Sequence, residues 1–155
     1  MKKNVFLIIA FLISAMSNGQ GVDFSGSWKL NSTKSKLNPE FSFAPNTVIV
    51  VQKANDLKVE KHSNFQGENI TLTDNLTLDG KEAINVGFMD TQKKSVASWS
   101  DDKASLKVTS KLSIGDGGEM TITEVYKLSG GNLVIESNSS SSFGEMAETM
   151  VYDKN

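Results

Sequence analysis

Glu124 is the residue whose place in the sequence most strongly suggests chemistry. It stands in residues 119–129, where apolar residues and Tyr126 recur at every second position. Such alternation predicts a β-strand with one buried face, which would turn Glu124 and Tyr126 inward. An ionised carboxylate in an apolar interior is costly unless it is paired or hydrogen-bonded. Glu124 is therefore predicted either to contact a ligand or to be a structural carboxylate held by nearby donors; a β-bulge would instead turn it outward.

Two further side chains are candidates for an interior wall. Trp99 lies between two serines, and Ser110 interrupts the alternating apolar row of residues 104–114. Tryptophans line pockets and fill cores alike, so a core or rim position for Trp99 is the alternative. With Glu124 and Tyr126, these residues make up the predicted ligand-binding set.

The other polar residues do not assemble a catalytic or metal site. His62 is the only histidine and there is no cysteine, so the usual zinc ligand set cannot form. A Ser-His-Asp triad would have to use His62, whose predicted position is on the outer face. Asp101-Asp102 and the sequence GDGGE at 115–119 are typical of hairpin turns and offer too few oxygens for calcium. We expect no enzyme activity, no metal and no cofactor.

Charge and composition narrow the class of partner. The 155 residues carry 16 basic and 18 acidic side chains, a formal net charge of −2. Nucleic acid is excluded as a partner by this balance, because phosphate binding requires a basic patch. Every basic residue is a lysine, and without arginine the usual bidentate clamp for a carboxylate is missing. The ligand is thus expected to be neutral or weakly hydrogen-bonding rather than a strong acid.

The first residues have the pattern of an export signal. Lys2 and Lys3 precede an apolar run at 5–16, which is too short to span a bilayer of about 30 Å. Ser17 and Gly19 suit cleavage before Gln20. Residues 1–19 are therefore predicted to be a cleaved signal peptide and residues 20–155 a single domain with no membrane span, exported to the periplasm or secreted. The absence of cysteine excludes a lipid anchor and disulfides.

The rest of the chain reads as a series of β-strands. Short alternating runs are separated by turn sequences such as Asp79-Gly80 and GGN at 130–132. Ten strands are predicted, the first at residues 24–31 and the last at 147–153. Connections of a few residues favour antiparallel neighbours, and closure removes exposed edges. The prediction is an all-β, single antiparallel up-and-down barrel of about ten strands, with a two-sheet sandwich as the alternative.

The predicted first strand has a structural inner face. Phe24, Gly26, Trp28 and Leu30 share one side by alternation. Trp28 is expected to plug one end of the barrel, and Gly26 to let a ring or backbone lie close. Residues 32–46, which contain both prolines, are expected to lead the chain across that same end.

These residues resemble a known group of proteins. The sequence GSW at 26–28 resembles the G-x-W opening of lipocalins and the wider calycin group, and residues 97–111 and 121–137 are similar to the late strands of small secreted bacterial lipocalin-like proteins. The resemblance implies a β-barrel that binds a small apolar or amphipathic molecule inside. Two departures stand out. Lipocalins pack a late arginine on the first tryptophan, and fatty-acid-binding proteins have inward arginines and two helices after the first strand.

A protein-interaction function is the alternative. Phe41 and Phe43 stand in the otherwise polar segment 32–46, which could contact a partner such as an exported hydrolase that the domain inhibits. A barrel filled with side chains would favour this function. A cavity of a few hundred Å³ lined by Glu124 would favour ligand binding.

Overall fold

The computed structural model describes residues 21–115 and 117–155 as ten antiparallel strands. The predicted signal peptide, residues 1–19, lies outside the described residues. The strands are β1 (Gly26–Leu30), β2 (Thr47–Lys53), β3 (Asp56–Phe65), β4 (Glu68–Thr77), β5 (Glu82–Val86), β6 (Gln92–Trp99), β7 (Ser105–Ile114), β8 (Gly118–Ser129), β9 (Asn132–Ser141) and β10 (Gly144–Lys154). A single turn of 3₁₀ type at Phe88–Asp90 joins β5 to β6.

The sheet runs in the order β4-β3-β2-β1-β10-β9-β8-β7-β6-β5. Nearly every strand pairs with its neighbours in the chain, and β1 pairs with both β2 and β10. The first strand thus joins the two halves of the meander, and the ribbon curls into a nearly closed up-and-down barrel. The predicted fold class is confirmed.

One seam interrupts the backbone ladder, between β4 and β5. Within the described residues, β4 pairs only with β3, and β5 only with β6. The side-chain amide of Asn85 bridges the gap: it accepts a hydrogen bond from the Asn75 N–H at 2.9 Å and donates one to the Asn75 carbonyl at 3.1 Å. Inside the barrel, the Lys93 ammonium of β6 reaches Asp74 of β4. Side chains therefore hold together two strands that the backbone leaves unpaired.

One half of the barrel is filled. Its core includes Phe24, Leu57, Leu106, Leu133 and Tyr152, each 2% exposed or less. Leu57, Leu106, Leu133 and Tyr152 occupy inward positions of their strands, as alternation predicts, and Phe24 lies just before β1. Burying apolar area of this kind, at about 25 cal/mol per Å², supplies the driving force for folding in a chain without disulfides.

Trp28 lies in this core and is 3% exposed. Its indole N–H donates to the carbonyl of Phe24 at 2.9 Å, so the one polar atom of the ring is satisfied. Gly26 lies against the same ring, and a Cβ there would be 3.3 Å from the indole nitrogen. The ammonium of Lys154 stands 5.4 Å from the ring centroid, so a late lysine covers the tryptophan where lipocalins use arginine.

Two details of the first strand and its connection differ from prediction. The strand begins at Gly26 rather than residue 24, because the Phe24 N–H is bonded by the side-chain oxygen of Gln52 at 3.1 Å instead of a backbone carbonyl. The following connection crosses the hollow end of the barrel, where Phe43 and Pro45 line the cavity. The prediction that it crosses the end plugged by Trp28 was wrong, because β1 leads away from the filled half before the chain turns.

We expect Trp28→Phe to lower the free energy of unfolding by about 1–3 kcal/mol, because it leaves the buried Phe24 carbonyl without its donor. Urea unfolding followed by the fluorescence of Trp99 measures this loss. Phe143→Ala is the control: that ring is 88% exposed, and its removal should change stability by no more than about 0.5 kcal/mol. Equal losses in the two variants would contradict a structural role for Trp28.

Candidate ligand-binding cavity

Polar side chains occupy the inward positions at mid-height of the barrel. On β3 the inward row changes from Leu57 and Val59 to Lys61, and on β8 it changes from Tyr126 to Glu124. The same change occurs on most of the other strands. We call this set the polar layer: Lys61, Asp74, Lys93, Ser95, Ser110, Glu124, Ser137 and Glu148.

Two ion pairs form the centre of the polar layer. The ammonium of Lys61 on β3 lies 2.6 Å from both carboxylate oxygens of Glu124 on β8. The ammonium of Lys93 lies 2.9 and 2.8 Å from the two oxygens of Asp74, and Lys61 also approaches Asp74 at 3.7 Å. Burying a charge is costly unless it is paired or hydrogen-bonded, and these four groups satisfy one another.

The pKa values of these groups reflect the pairing. Burial alone would lower the pKa of Lys61, but Glu124, with Tyr126 and Asp74, reverses this and raises that pKa well above its usual value. Burial would raise the pKa of Asp74, but the charges of Lys61 and Lys93 lower it instead. Both groups are therefore held in their charged forms in the folded protein.

A cavity of about 350 Å³ lies on the side of the polar layer away from the filled core. The ion pairs reach its floor through Lys61, Lys93 and Glu124, and Glu148 stands in its wall. Most of the remaining wall is apolar and includes Ile70, Leu72, Leu112, Ile114, Met120, Ile122, Met146 and Met150. An apolar chamber with a few polar groups on one side suits an amphipathic molecule.

Four phenylalanine rings surround the mouth of this cavity. Phe41 and Phe43 come from the connection between β1 and β2, Phe65 from the end of β3, and Phe88 from the turn before β6. Their centroids form a closed circuit, 4.3 Å apart for Phe41–Phe43 and 6.4 Å for each of the other three neighbouring pairs. Each ring is 38–52% exposed. We call these four residues the phenylalanine rim.

A second, open hollow of about 910 Å³ lies along the seam between β4 and β5. It shares Ile70, Leu72, Phe88 and Met89 with the cavity. A single layer of side chains therefore separates this outer hollow from the cavity, at the place where β4 and β5 share no backbone hydrogen bonds.

The four predicted site residues occupy different places. Glu124 lines the cavity, and Tyr126, one step deeper, donates its hydroxyl to Glu124 at 3.3 Å. Ser110 is buried and shares a 2.7 Å hydrogen bond with Ser95. Trp99 lies in the filled half, stacked on Phe24 with centroids 5.9 Å apart. Contact of these residues with a ligand stays a prediction, and Glu124 is the one of the four that lines the cavity.

Four charged members of the polar layer were missed by sequence reasoning: Lys61, Asp74, Lys93 and Glu148. The alternation did indicate that two of them face inward. Lys61 is two residues after Val59 in the row of Leu57 and Val59, and Asp74 lies midway between Leu72 and Leu76. A charge in an apolar row reads equally well as an outward residue after a bulge. Only the partners across the barrel show that these residues face inward.

The remaining polar candidates have structural surroundings. His62 is partly exposed, with Nδ1 3.1 Å from the Thr71 hydroxyl. The carboxylate of Asp102 accepts hydrogen bonds from the Ser100 hydroxyl at 2.6 Å and the Ala104 N–H at 3.0 Å, closing the turn before β7. In the described part of the chain, no three histidine, aspartate or glutamate side chains are grouped to hold a metal ion.

No protein-family model matches this chain, and no curated protein matches it in sequence. Solved structures do share its architecture. Zebrafish ileal bile acid-binding protein, complexed with cholic acid, superposes with a TM-score of 0.59 at 18% identity, over 85% of this chain and 98% of that one. The chain has a calycin-type barrel fold.

A second solved structure agrees. A secretory abundant heat soluble protein from Ramazzottius varieornatus superposes with a TM-score of 0.57 at 13% identity, over 88% of this chain and 98% of that one. The resemblance to lipocalin-like, calycin-type proteins is thereby confirmed for the fold. This chain joins β1 to β2 by residues 31–46 without a helix, as the short connection predicted.

We expect the ion pairs to make stability depend on pH. Because the pKa of Asp74 is lowered on folding, its stabilisation is present above the unfolded value of 3.8 and is lost as the pH falls below it. Asp74→Asn should be less stable than wild type at pH 7, and the difference should shrink on acidification. Urea unfolding between pH 7 and pH 3 measures this. Glu68→Gln, an exposed change on the same strand, should show no such convergence, and a pH-independent difference for Asp74→Asn would contradict the pairing.

Proposed function

We propose that this protein binds a small apolar or amphipathic molecule inside its barrel. The observation that carries the proposal is the cavity of about 350 Å³, with an apolar wall and a charged floor. Its volume falls within the range of about 300–1,000 Å³ that is usual for small-molecule sites. The structure of the zebrafish bile acid-binding protein with cholic acid supports the use of such a barrel as a container.

The division of the barrel supports this use. The filled half supplies a continuous core, so the hollow half need not pack side chain against side chain for the protein to fold. An unfilled apolar chamber is otherwise a loss of stability, which grows by about 24 cal/mol per Å³. A guest that fills the chamber recovers part of that loss and is bound by it.

The alternative, a protein-interaction module, is less well supported. Phe41 and Phe43 are 44% and 52% exposed, as that function requires. They also pack edge to face on each other and on the neighbouring rim rings, and Phe43 lines the cavity. Both the hollow interior and this position at its mouth favour a role in admitting a ligand.

We further propose that the protein acts outside the cytoplasm and binds without catalysing a reaction. The basis for export is the signal-like pattern of residues 1–19. The basis for a binding role is that the two lysines on the cavity floor are engaged by carboxylates, so neither is free to act as a base or nucleophile. No helix in the described residues is long and apolar enough to cross a membrane.

We expect Ser139→Trp to reduce ligand binding at least about tenfold, a loss of about 1.4 kcal/mol, because Ser139 lines the cavity and an indole there would fill it. Titration with 1-aminoanthracene, an uncharged dye whose fluorescence rises in apolar surroundings, measures the affinity. Asn138→Trp is the matched control, since Asn138 directly precedes Ser139 in β9 and faces out.

If both tryptophan variants bound the dye as wild type does, the cavity would not be its site. Failure of the wild-type protein to bind any apolar or amphipathic probe, and to carry a molecule from its host in native mass spectrometry, would reject the proposed function.

A further inference from the structure

Glu148 on β10 is the charged group of the cavity wall that the ion pairs do not use. The residue is 7% exposed and lines the cavity between Met146 and Met150. Its neighbour across the strand pair is Ser137, whose own neighbour on the other side is Glu124. Two carboxylates therefore flank one serine on three adjacent strands, about 10 Å apart at the backbone by the usual strand spacing.

Neither of the two lysines that line the cavity forms an ion pair with Glu148. Lys61 is engaged by both oxygens of Glu124, and Lys93 by both oxygens of Asp74. Glu148 accepts one hydrogen bond, from the backbone N–H of Asn38 to Oε1 at 2.9 Å. Within the described residues, no lysine or histidine lies within ion-pair distance of its carboxylate. The polar layer thus has three carboxylates, those of Asp74, Glu124 and Glu148, against the two ammonium groups of Lys61 and Lys93.

This imbalance discriminates among the charges a guest can carry. An anionic head would meet a wall with a surplus carboxylate, and the charge of each lysine is already compensated by Glu124 or Asp74. A cationic head would instead gain a charge-assisted hydrogen bond from Glu148 and would compensate a buried charge that otherwise has one neutral donor. The net charge of −2 on the chain also favours the approach of cations.

We propose that the cavity is selective for amphiphiles with a cationic head, such as an alkylammonium, which pairs with Glu148 while the apolar tail extends toward the phenylalanine rim. The inference rests on the proposed ligand-binding function and names the ligand class. The wall on the mouth side of Glu148 fits a tail, because Met120, Ile122 and Met146 line it.

A series of ligands with one tail and three heads tests this selectivity. Octylamine, octan-1-ol and octanoate, titrated into the wild-type protein at pH 7 by calorimetry, differ in head charge and hardly in size. We expect octylamine to bind at least about tenfold more tightly than octanoate, the range of a charge-assisted hydrogen bond. This arm needs no variant.

A conservative variant assigns the preference to Glu148. Glu148→Gln keeps an oxygen for the Asn38 N–H and removes the charge. It should weaken octylamine about tenfold while octan-1-ol changes less than about twofold. Glu145→Gln, an exposed change on the same strand, should alter neither affinity. Circular dichroism of each variant checks that the barrel is intact.

The outcomes separate the two proposals. If none of the three ligands and no uncharged dye binds, the proposed function fails. If octan-1-ol binds and octylamine binds no better than octanoate, the barrel binds ligands and the cationic selectivity is overturned. If octylamine is preferred equally by wild type and by Glu148→Gln, the assignment to Glu148 is overturned.

Discussion

A buried charge without a counter-charge is costly, and in this barrel the pairing of four such charges fixes which strands face each other. Lys61 on β3 is satisfied by Glu124 on β8, a residue on the far side of the sheet order, and Lys93 on β6 by Asp74 on β4 across the seam. Leaving any one of these groups alone in the interior would cost about 3–5 kcal/mol. The ribbon is therefore held curled in the one arrangement that brings all four together, although β4 and β5 share no ladder.

The polar layer separates the filled half of the barrel from the hollow half. Below it, Phe24, Trp28 and Tyr152 fill the interior and stabilise the chain without disulfides. Above it, an apolar wall encloses the cavity, and the rings of Phe43, Phe65 and Phe88 lie at its mouth. For the proposed ligand, the polar layer would contact the head and the apolar wall would surround the tail. Under the proposed function, stability and binding belong to opposite ends of one barrel.

Sequence reasoning succeeded where the pattern is local. Alternation placed Phe24, Trp28, Glu124 and Tyr126 inward, and turn sequences separated the ten strands. It failed where partners are remote, since nothing near Lys61 and Lys93 in the sequence singles them out as buried charges. Trp99 shows a related limit. Alternation along a strand indicates that a side chain points inward, but not how far along the barrel axis it lies. Trp99 lies in the filled half, stacked on Phe24. The connection after β1 was likewise assigned to the filled end instead of the hollow end of the barrel. Alternation does not show toward which end a strand runs.

The order of apolar and polar residues along the chain was enough to determine the number of strands, their antiparallel pairing and the identity of the structural tryptophan, because each depends on contacts between residues near in sequence or on burial of one face. Tertiary structure alone decided that Lys61 pairs with Glu124, that Asp74 closes the seam through Lys93, and that Glu148 lines the cavity without an ion pair. The reason is physical: the free energy of a buried charge depends on what lies within a few ångströms of it in space, and those neighbours are up to 110 residues away in the chain.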